Sequence, residues 1–402
     1  TFNPEPQHSH LDEPHFDKNF RLSKAKLTIP NRDQKRLLRK LKKMTNHFIP
    51  PTSIDSSFSL TYEDQQFNVT VKHEEAANPS AFDQLIVDVT TESNGRLLGT
   101  QMRMQRLGFS HFAQFVDYWD PRVVVHDDQF DGRFHTNTDF AISGNDGKHP
   151  RFLGKVTTSG YTIHQRLHPA FFKKDSVFQA GLEIGTAPIK FPKKLYDLVE
   201  SVENDSSVFR FDEECWIEFE RDGGFSWRKK SGAEGRVSAN PSLRLLTIVS
   251  QSKNKLHVSG TLAGRALVYN VGKIVICGDV FYKNSPEFDQ ESDDYLGLVS
   301  ENSVEIAPPK VTGSGDLYIY AAIMTKGAFR VVDYQQQGNA QMRLYGSLTA
   351  GSITATEPRY GTRIVFDRRL ETKRPPNFPM TNRYEMQEWD EKWEVLEDSL
   401  NF

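Results

Sequence analysis

The sequence predicts a mainly β protein: a right-handed parallel β-helix (β-solenoid) with a small antiparallel β-region and a helix at each end. Three observations point there. From residue 57 onward, apolar and polar residues alternate over short runs, the period of half-buried strands. A degenerate repeat returns every 24–30 residues over the second half of the chain, with two weaker copies 22 residues apart before it. Segments 31–50 and 381–402 instead show the helical spacing of three and four.

Composition narrows the function classes. The 402 residues hold 50 basic and 53 acidic side chains, a net charge of −3, which argues against charge-driven binding to nucleic acid. Hydrophobic residues make up 37%, which suits a slim coil with a narrow core and a large surface. No run approaches the ~18 apolar residues of a membrane span, and the N-terminal residues do not read as a signal peptide. Two cysteines, Cys215 and Cys277, cannot build a disulfide scaffold or a four-cysteine zinc site. A disulfide between them in an exported chain and two buried free thiols both stand.

In chain order, residues 1–30 read as an extended, solvated arm, in which His8, His10 and His15 are a weak metal candidate. Asn31 caps a basic amphipathic helix over 31–50, with Gln34 in the capping-box position and Pro50 and Pro51 as stops. Leu37, Leu41, Met44 and Phe48 form its apolar stripe. Arg32, Lys35, Arg36, Arg39, Lys40, Lys42 and Lys43 against Asp33 give it +6. Residues 52–120 form the small antiparallel region. Its alternating runs are Phe58, Leu60 and Tyr62; Phe67, Val69 and Val71; Leu85, Val87 and Val89; then 97–104. Residues 121–380 are the β-helix domain. Within it, Leu195, Leu198, Val199 and Val202 predict a short helix, and Asp222, Gly223 and Gly224 the turn of a hairpin. Residues 381–402 read as an acidic amphipathic segment. Met386, Trp389, Trp393, Leu396 and Leu400 form its stripe, and its net charge from 385 onward is −6.

The repeat aligns Val268, Gly272 and Ile274 with Leu298, Asn302 and Val304, then Ile323, Gly327 and Phe329, then Ser347, Gly351 and Ile353. Weaker copies begin at Phe134 and Val156. Glycine or asparagine at the middle position predicts a corner with left-handed backbone angles. One such unit cannot bury its own inner face, but stacked units share a core. The longest step predicts a loop over 284–294 projecting from one corner.

Several stretches resemble a bacterial family of β-helical pilin-like proteins, related to minor-pilin-like accessory components of type IV pilus systems and largely of unknown function. They are 134–143 (FHTNTDFAIS), 152–160 (FLGKVTTSG), 256–265 (LHVSGTLAGR), Gly278 to Val280, 295–302 (YLGLVSEN) and the closing 375–384 (PPNFPMTNRY) followed by Trp389. The resemblance spans roughly residues 55–390. It implies an extracellular or cell-surface structural or adhesive subunit acting through protein–protein assembly, self-assembly included. Members of the family carry an N-terminal hydrophobic prepilin helix. None lies in these residues, so membrane attachment is expected only through a segment upstream of Thr1. The second reading of the chain is a carbohydrate-binding or carbohydrate-active β-helix protein, marked by a column of carboxylates or aromatics along one face.

No enzyme motif is present. The repeat positions carry Lys273, Glu301, Lys326 and Arg330 rather than a column of paired carboxylates. No cofactor is expected. Calcium is a minor candidate at Asp289, Glu291, Asp293 and Asp294, as is a transition metal at His126, Asp127, Asp128, Asp131, His135 and Asp139. Trp119, Trp227 and Tyr360 are candidate sugar platforms. The oppositely charged end segments are the candidate partner surface: Arg36, Leu37, Lys40, Leu41 and Met44 at one end, Trp389, Trp393 and Leu396 at the other.

Overall fold

The computed structural model describes residues 32, 56–62, 65–93, 95–144, 148–167, 174–193, 195, 207–239, 245–389 and 391–396. Arg32 is helical; the rest of the basic helix, with Arg36, Leu37, Lys40, Leu41 and Met44, lies outside these residues, as do Leu198, Val199 and Val202. Two units are present: Thr1–His73 with Ile86–Met104 and Met386–Phe402, and Glu74–Leu85 with Gln105–Glu385. The described structure is mainly β. Among the described residues no helix is long and apolar enough to cross a membrane.

Strands Ser56–Tyr62, Gln65–Glu74, Gln84–Ser93 and Arg96–Gly108, most of whose residues belong to the smaller unit, follow one another across a sheet. The first two are antiparallel, with Phe58 opposite Val69 and Leu60 opposite Phe67. Phe67, Val69, Val71, Val87 and Val89 point to the buried face while their neighbours stay wetter, as the period of two requires. The helix expected at the C-terminal end is not formed where the chain is described. Met380–Glu388 is a strand, and Glu394–Val395 pairs antiparallel with Arg96–Gly108. Between them Glu391 has φ 56°, a left-handed value that a right-handed helix cannot contain.

The larger unit is built on long parallel ladders, and three rows of residues trace them. The first runs Phe209, Ile248, Val268, Leu298, Ile323, Leu348, Gln114, Phe134, Val156 and Leu182, each paired with the next. The second runs Cys215, Leu256, Ile274, Val304, Phe329 and Ile353. The third runs Gly260, Val280, Ile319, Leu344, Ile364, Phe130, Phe152 and Phe178. Most members of the rows are wholly buried and belong to one continuous core. Within it Phe130 stacks on Phe152 at 5.0 Å and Phe152 on Phe178 at 5.3 Å. The hairpin forms as expected, with Phe219 opposite Phe225.

The repeat is therefore a real register, with two corrections. Its fourth copy pairs through Leu348 rather than Ser347, because the register shifts between Thr325 and Ala328. The order of strands also departs from the order of the chain. Phe112–Val116, expected inside the antiparallel region, lies between Ala340–Ile353 and Arg133–Thr136 in the ladder. Its five residues are all buried, which leaves no solvent face for a two-layer antiparallel role.

At the end of the first row, hydroxyls and amides close the turns. Ser300 Oγ accepts from Asn302 N at 3.0 Å and donates to Gly272 O at 2.8 Å. Thr325 Oγ1 donates to Asn302 O at 2.9 Å, and Thr158 Oγ1 accepts from Gly160 N at 3.0 Å. Buried Asn270 accepts from Gly272 N at 2.9 Å. The corner glycines do not owe their place to left-handed angles, since Gly272 and Gly327 are not among the positive-φ residues. A Cβ on Gly327 would lie 1.9 Å from Asn302 O, and one on Gly272 2.3 Å from Asn254 O. Close approach of the turn on the adjacent rung selects glycine there.

Candidate functional site

The third row faces inward, so the residues beside it face out. One outward row runs Tyr318, Arg343, Arg363, Gln129 and Arg151 on successive ladder positions. All three arginines are exposed, whereas Ile319, Leu344, Ile364, Phe130 and Phe152 of the third row are buried. Neighbouring strands lie about 4.8 Å apart, so the row is a regular array of guanidinium groups and amide. Arg343 lies over the Tyr318 ring at 5.5 Å, with Asp316 3.9 Å from its guanidinium. This row is basic in a chain that is acidic overall. Sequence reasoning missed it, because only the first half of each repeat was aligned. The signal was there: Tyr318, Arg343, Arg363, Gln129 and Arg151 each precede a large apolar residue by one position.

A parallel outward row holds aromatics. Phe281 lies 5.7 Å from Tyr320, and Tyr320 stacks on Tyr345 at 5.3 Å. These rings are structural rather than open, since Tyr320 and Tyr345 are buried. Tyr320 Oη donates to Glu287 of the 284–294 loop. Arg369 secures the same loop, donating to Ser292 O at 2.6 Å and to Asp294 O at 3.1 Å. Asp367, 2.7 Å away, balances the charge of Arg369, and the Tyr295 ring lies 4.4 Å from it. Phe288 stands 92% exposed on the loop.

The four calcium candidates on this loop do not converge. Asp294 accepts from Gly264 N at 2.6 Å and Asn284 N at 2.8 Å, Asp293 pairs with Arg265, and Asp289 accepts from Glu291 N at 3.1 Å. The His/Asp cluster also disperses. His135 is buried between Thr157 Oγ1 at 2.7 Å and Asn137 Oδ1 at 3.0 Å, Asp131 pairs with Arg368, and Asp139 accepts from Tyr161 N and Thr162 N. Burial pushes the Asp128 carboxyl up to about 6. Among the described residues no three His, Cys, Asp or Glu side chains are placed to share a metal ion.

Trp119 and Tyr360 are buried and so are not sugar platforms; Trp119 Nε1 donates to Val123 O at 2.8 Å. Half-buried Trp227 packs on Phe211 at 5.7 Å. The C-terminal partner candidates serve the smaller unit itself. Trp393 lies against Phe67 at 6.2 Å, and Leu396 contacts Gly99. Both are buried, so they are not an open stripe. Trp389 is half-buried, donates to Thr100 Oγ1 at 2.8 Å and lines a cavity of about 320 Å³ with Arg103, Gln101, Lys392 and Glu394. Cys215 and Cys277 are free thiols.

No protein-family model matches the sequence, and no curated protein matches it. The structure is similar to the crystal structure of the competence-associated pilin ComZ from Thermus thermophilus, at 11% identity and a TM-score of 0.34, with 90% of this chain and 91% of that chain covered. A likeness of that size does not carry a function across.

Proposed function

We propose that the three ladders are the faces of a right-handed parallel β-helix, and that the chain is a surface or extracellular adhesive subunit whose basic row binds an extended acidic polysaccharide. The β-helix reading rests on the chain visiting the three rows in turn from Ile248 to Ile364, with parallel crossovers right-handed in about 98% of cases. The adhesive reading rests on one observation: Tyr318, Arg343, Arg363, Gln129 and Arg151 stand in register on the outside. Guanidinium groups pair with carboxylates through two parallel hydrogen bonds, and a tyrosine face stacks on a sugar ring. A polymer that repeats carboxylates along its length can engage several arginines at once, and the linked contacts reinforce one another.

Binding fits this row better than hydrolysis. Glycosidic hydrolysis needs two carboxylates at a set gap, and the row holds none. Assembly with further protein subunits is the role that the pilin-like resemblance implies, and a subunit carrying such a face would display it on the assembly. The test is to pass the protein over immobilised polygalacturonate and over neutral dextran while assaying the soluble polymers for new reducing ends. Retention on the acidic matrix alone, without new ends, supports adhesion. Reproducible release of ends would replace it with the degradative reading, and retention on neither matrix would remove both.

A further inference from the structure

On a different part of the ladders, strands Cys215–Phe219, Leu256–Leu262 and Ile274–Tyr282 lie side by side and bring together Glu214, just ahead of the first, with His257 and Cys277 on the other two. His257 Nε2 lies 2.8 Å from Glu214 Oε1, and His257 Nδ1 lies 3.3 Å from Cys277 Sγ. A carboxylate only accepts, so Nε2 carries the ring proton toward Glu214. Nδ1 is then left as an acceptor beside Cys277 Sγ, whose S–H also has Val275 O within reach at 3.6 Å. The imidazole is fixed in this pose by Trp216, stacked on it at 4.5 Å and 10°, with Arg228 5.3 Å from the indole. Lys230 Nζ holds Glu214 from its other oxygen at 3.1 Å. Cys277 itself sits on a bulge. Val258 pairs with Ile276 and Gly260 with Val280, so Cys277, Gly278 and Asp279 face Ser259 alone. Bulges re-aim side chains and recur beside active sites. Cys277 is half-buried, unlike Cys215, which is wholly buried.

We propose that Cys277, His257 and Glu214 form a general-base-assisted thiol centre that takes up an acyl group from an ester or thioester. Cys277 Sγ attacks the acyl carbonyl while its proton passes to His257 Nδ1. The carbon–oxygen or carbon–sulfur bond to the leaving group breaks, and the leaving group departs with its electron pair, taking the proton from His257 or one from solvent. The product is S-acyl-Cys277. Water, deprotonated by the same nitrogen, then returns the thiol and releases the acid. Cys277 and His257 are the reacting groups, and Glu214 positions the ring and stabilises its charged form. Burial pushes the Cys277 thiol up to about 11 and lowers the basicity of His257. The resting pair is therefore neutral, and the base must act during attack rather than before it.

The test uses the intact chain with p-nitrophenyl acetate, following p-nitrophenolate release and mapping the acetyl group by mass spectrometry. The expected result is one acetyl group on Cys277, with release slowed about 100-fold or more in His257→Ala. Cys215→Ala should retain both the label and the rate. Because His257→Ala also loses the Trp216 stack, Glu214→Gln supplies a second readout. The charged and titratable groups facing His257 are Glu214, Lys230, Lys255 and the neutral Cys277 thiol, and only Glu214 raises its basicity by direct contact. Glu214→Gln should therefore slow acylation and move the acid limb of its pH profile downward. Labelling of lysines without Cys277, or Cys277 acylation at an unchanged rate in His257→Ala, would overturn the proposal.

Discussion

At Gly327 the neighbouring turn decides which residue fits. A Cβ there would lie 1.9 Å from Asn302 O, so Gly327→Ala must push that turn away and should cost about 2 kcal/mol or more in chemical denaturation. Gly315→Ala, with nothing within 4 Å and no positive φ, should stay within about 0.5 kcal/mol of the parent. The sequence displayed the recurrence of glycine but not its cause, because spacing shows where small residues recur and not what approaches them. Burial governs the histidines in the same way. His111 and His135 are both lowered to about 4, mainly by desolvation, against about 6.5 in an unfolded chain. Between those values the unfolded chain binds more protons than the folded one. Stability is then fully present above pH about 6.5 and is lost as the pH falls through about 4, on the order of 3 kcal/mol for each histidine. Urea titrations across this range should show the slope, and His135→Gln should flatten its share. No sequence signal separated His135, buried against Phe115 at 5.0 Å, from exposed His164.

Among elements, the C-terminal strands show how a helical spacing can mislead. Trp393 and Leu396 are three apart and both buried, as on a helix face. The backbone brings them to one side differently, through the left-handed Glu391 and the short pairing of Glu394–Val395 with Arg96–Gly108. Stripe residues alone cannot distinguish these routes. Truncating Trp393, which packs on Phe67, should destabilise the smaller unit by about 3–5 kcal/mol, readable as an early transition in thermal unfolding. An unchanged melting profile would show that the ring contributes little. The Cys215–Phe219 hairpin was legible for the opposite reason: its turn chemistry is local, so three adjacent residues specify it.

For the whole molecule, the repeat spacing revealed that strands stack in parallel but not the order in which they do so. Ladder order passes from Ala340–Ile353 to Phe112–Val116, joining segments more than two hundred residues apart in the chain. A periodic sequence fixes the rung and leaves open which rungs touch, since any two share the same apolar pattern. The outward basic row depends on that hidden order, because Arg343 and Arg363 come from one part of the chain and Gln129 and Arg151 from another. The most direct test of the account is therefore the affinity of the intact chain for polygalacturonate beside that of the triple variant Arg343→Ala, Arg363→Ala and Arg151→Ala. With about 0.5–1 kcal/mol for each exposed pairing, the account predicts saturable, salt-sensitive binding that weakens about tenfold or more in the variant. Equal affinity of parent and variant, or no binding by the parent, would contradict it.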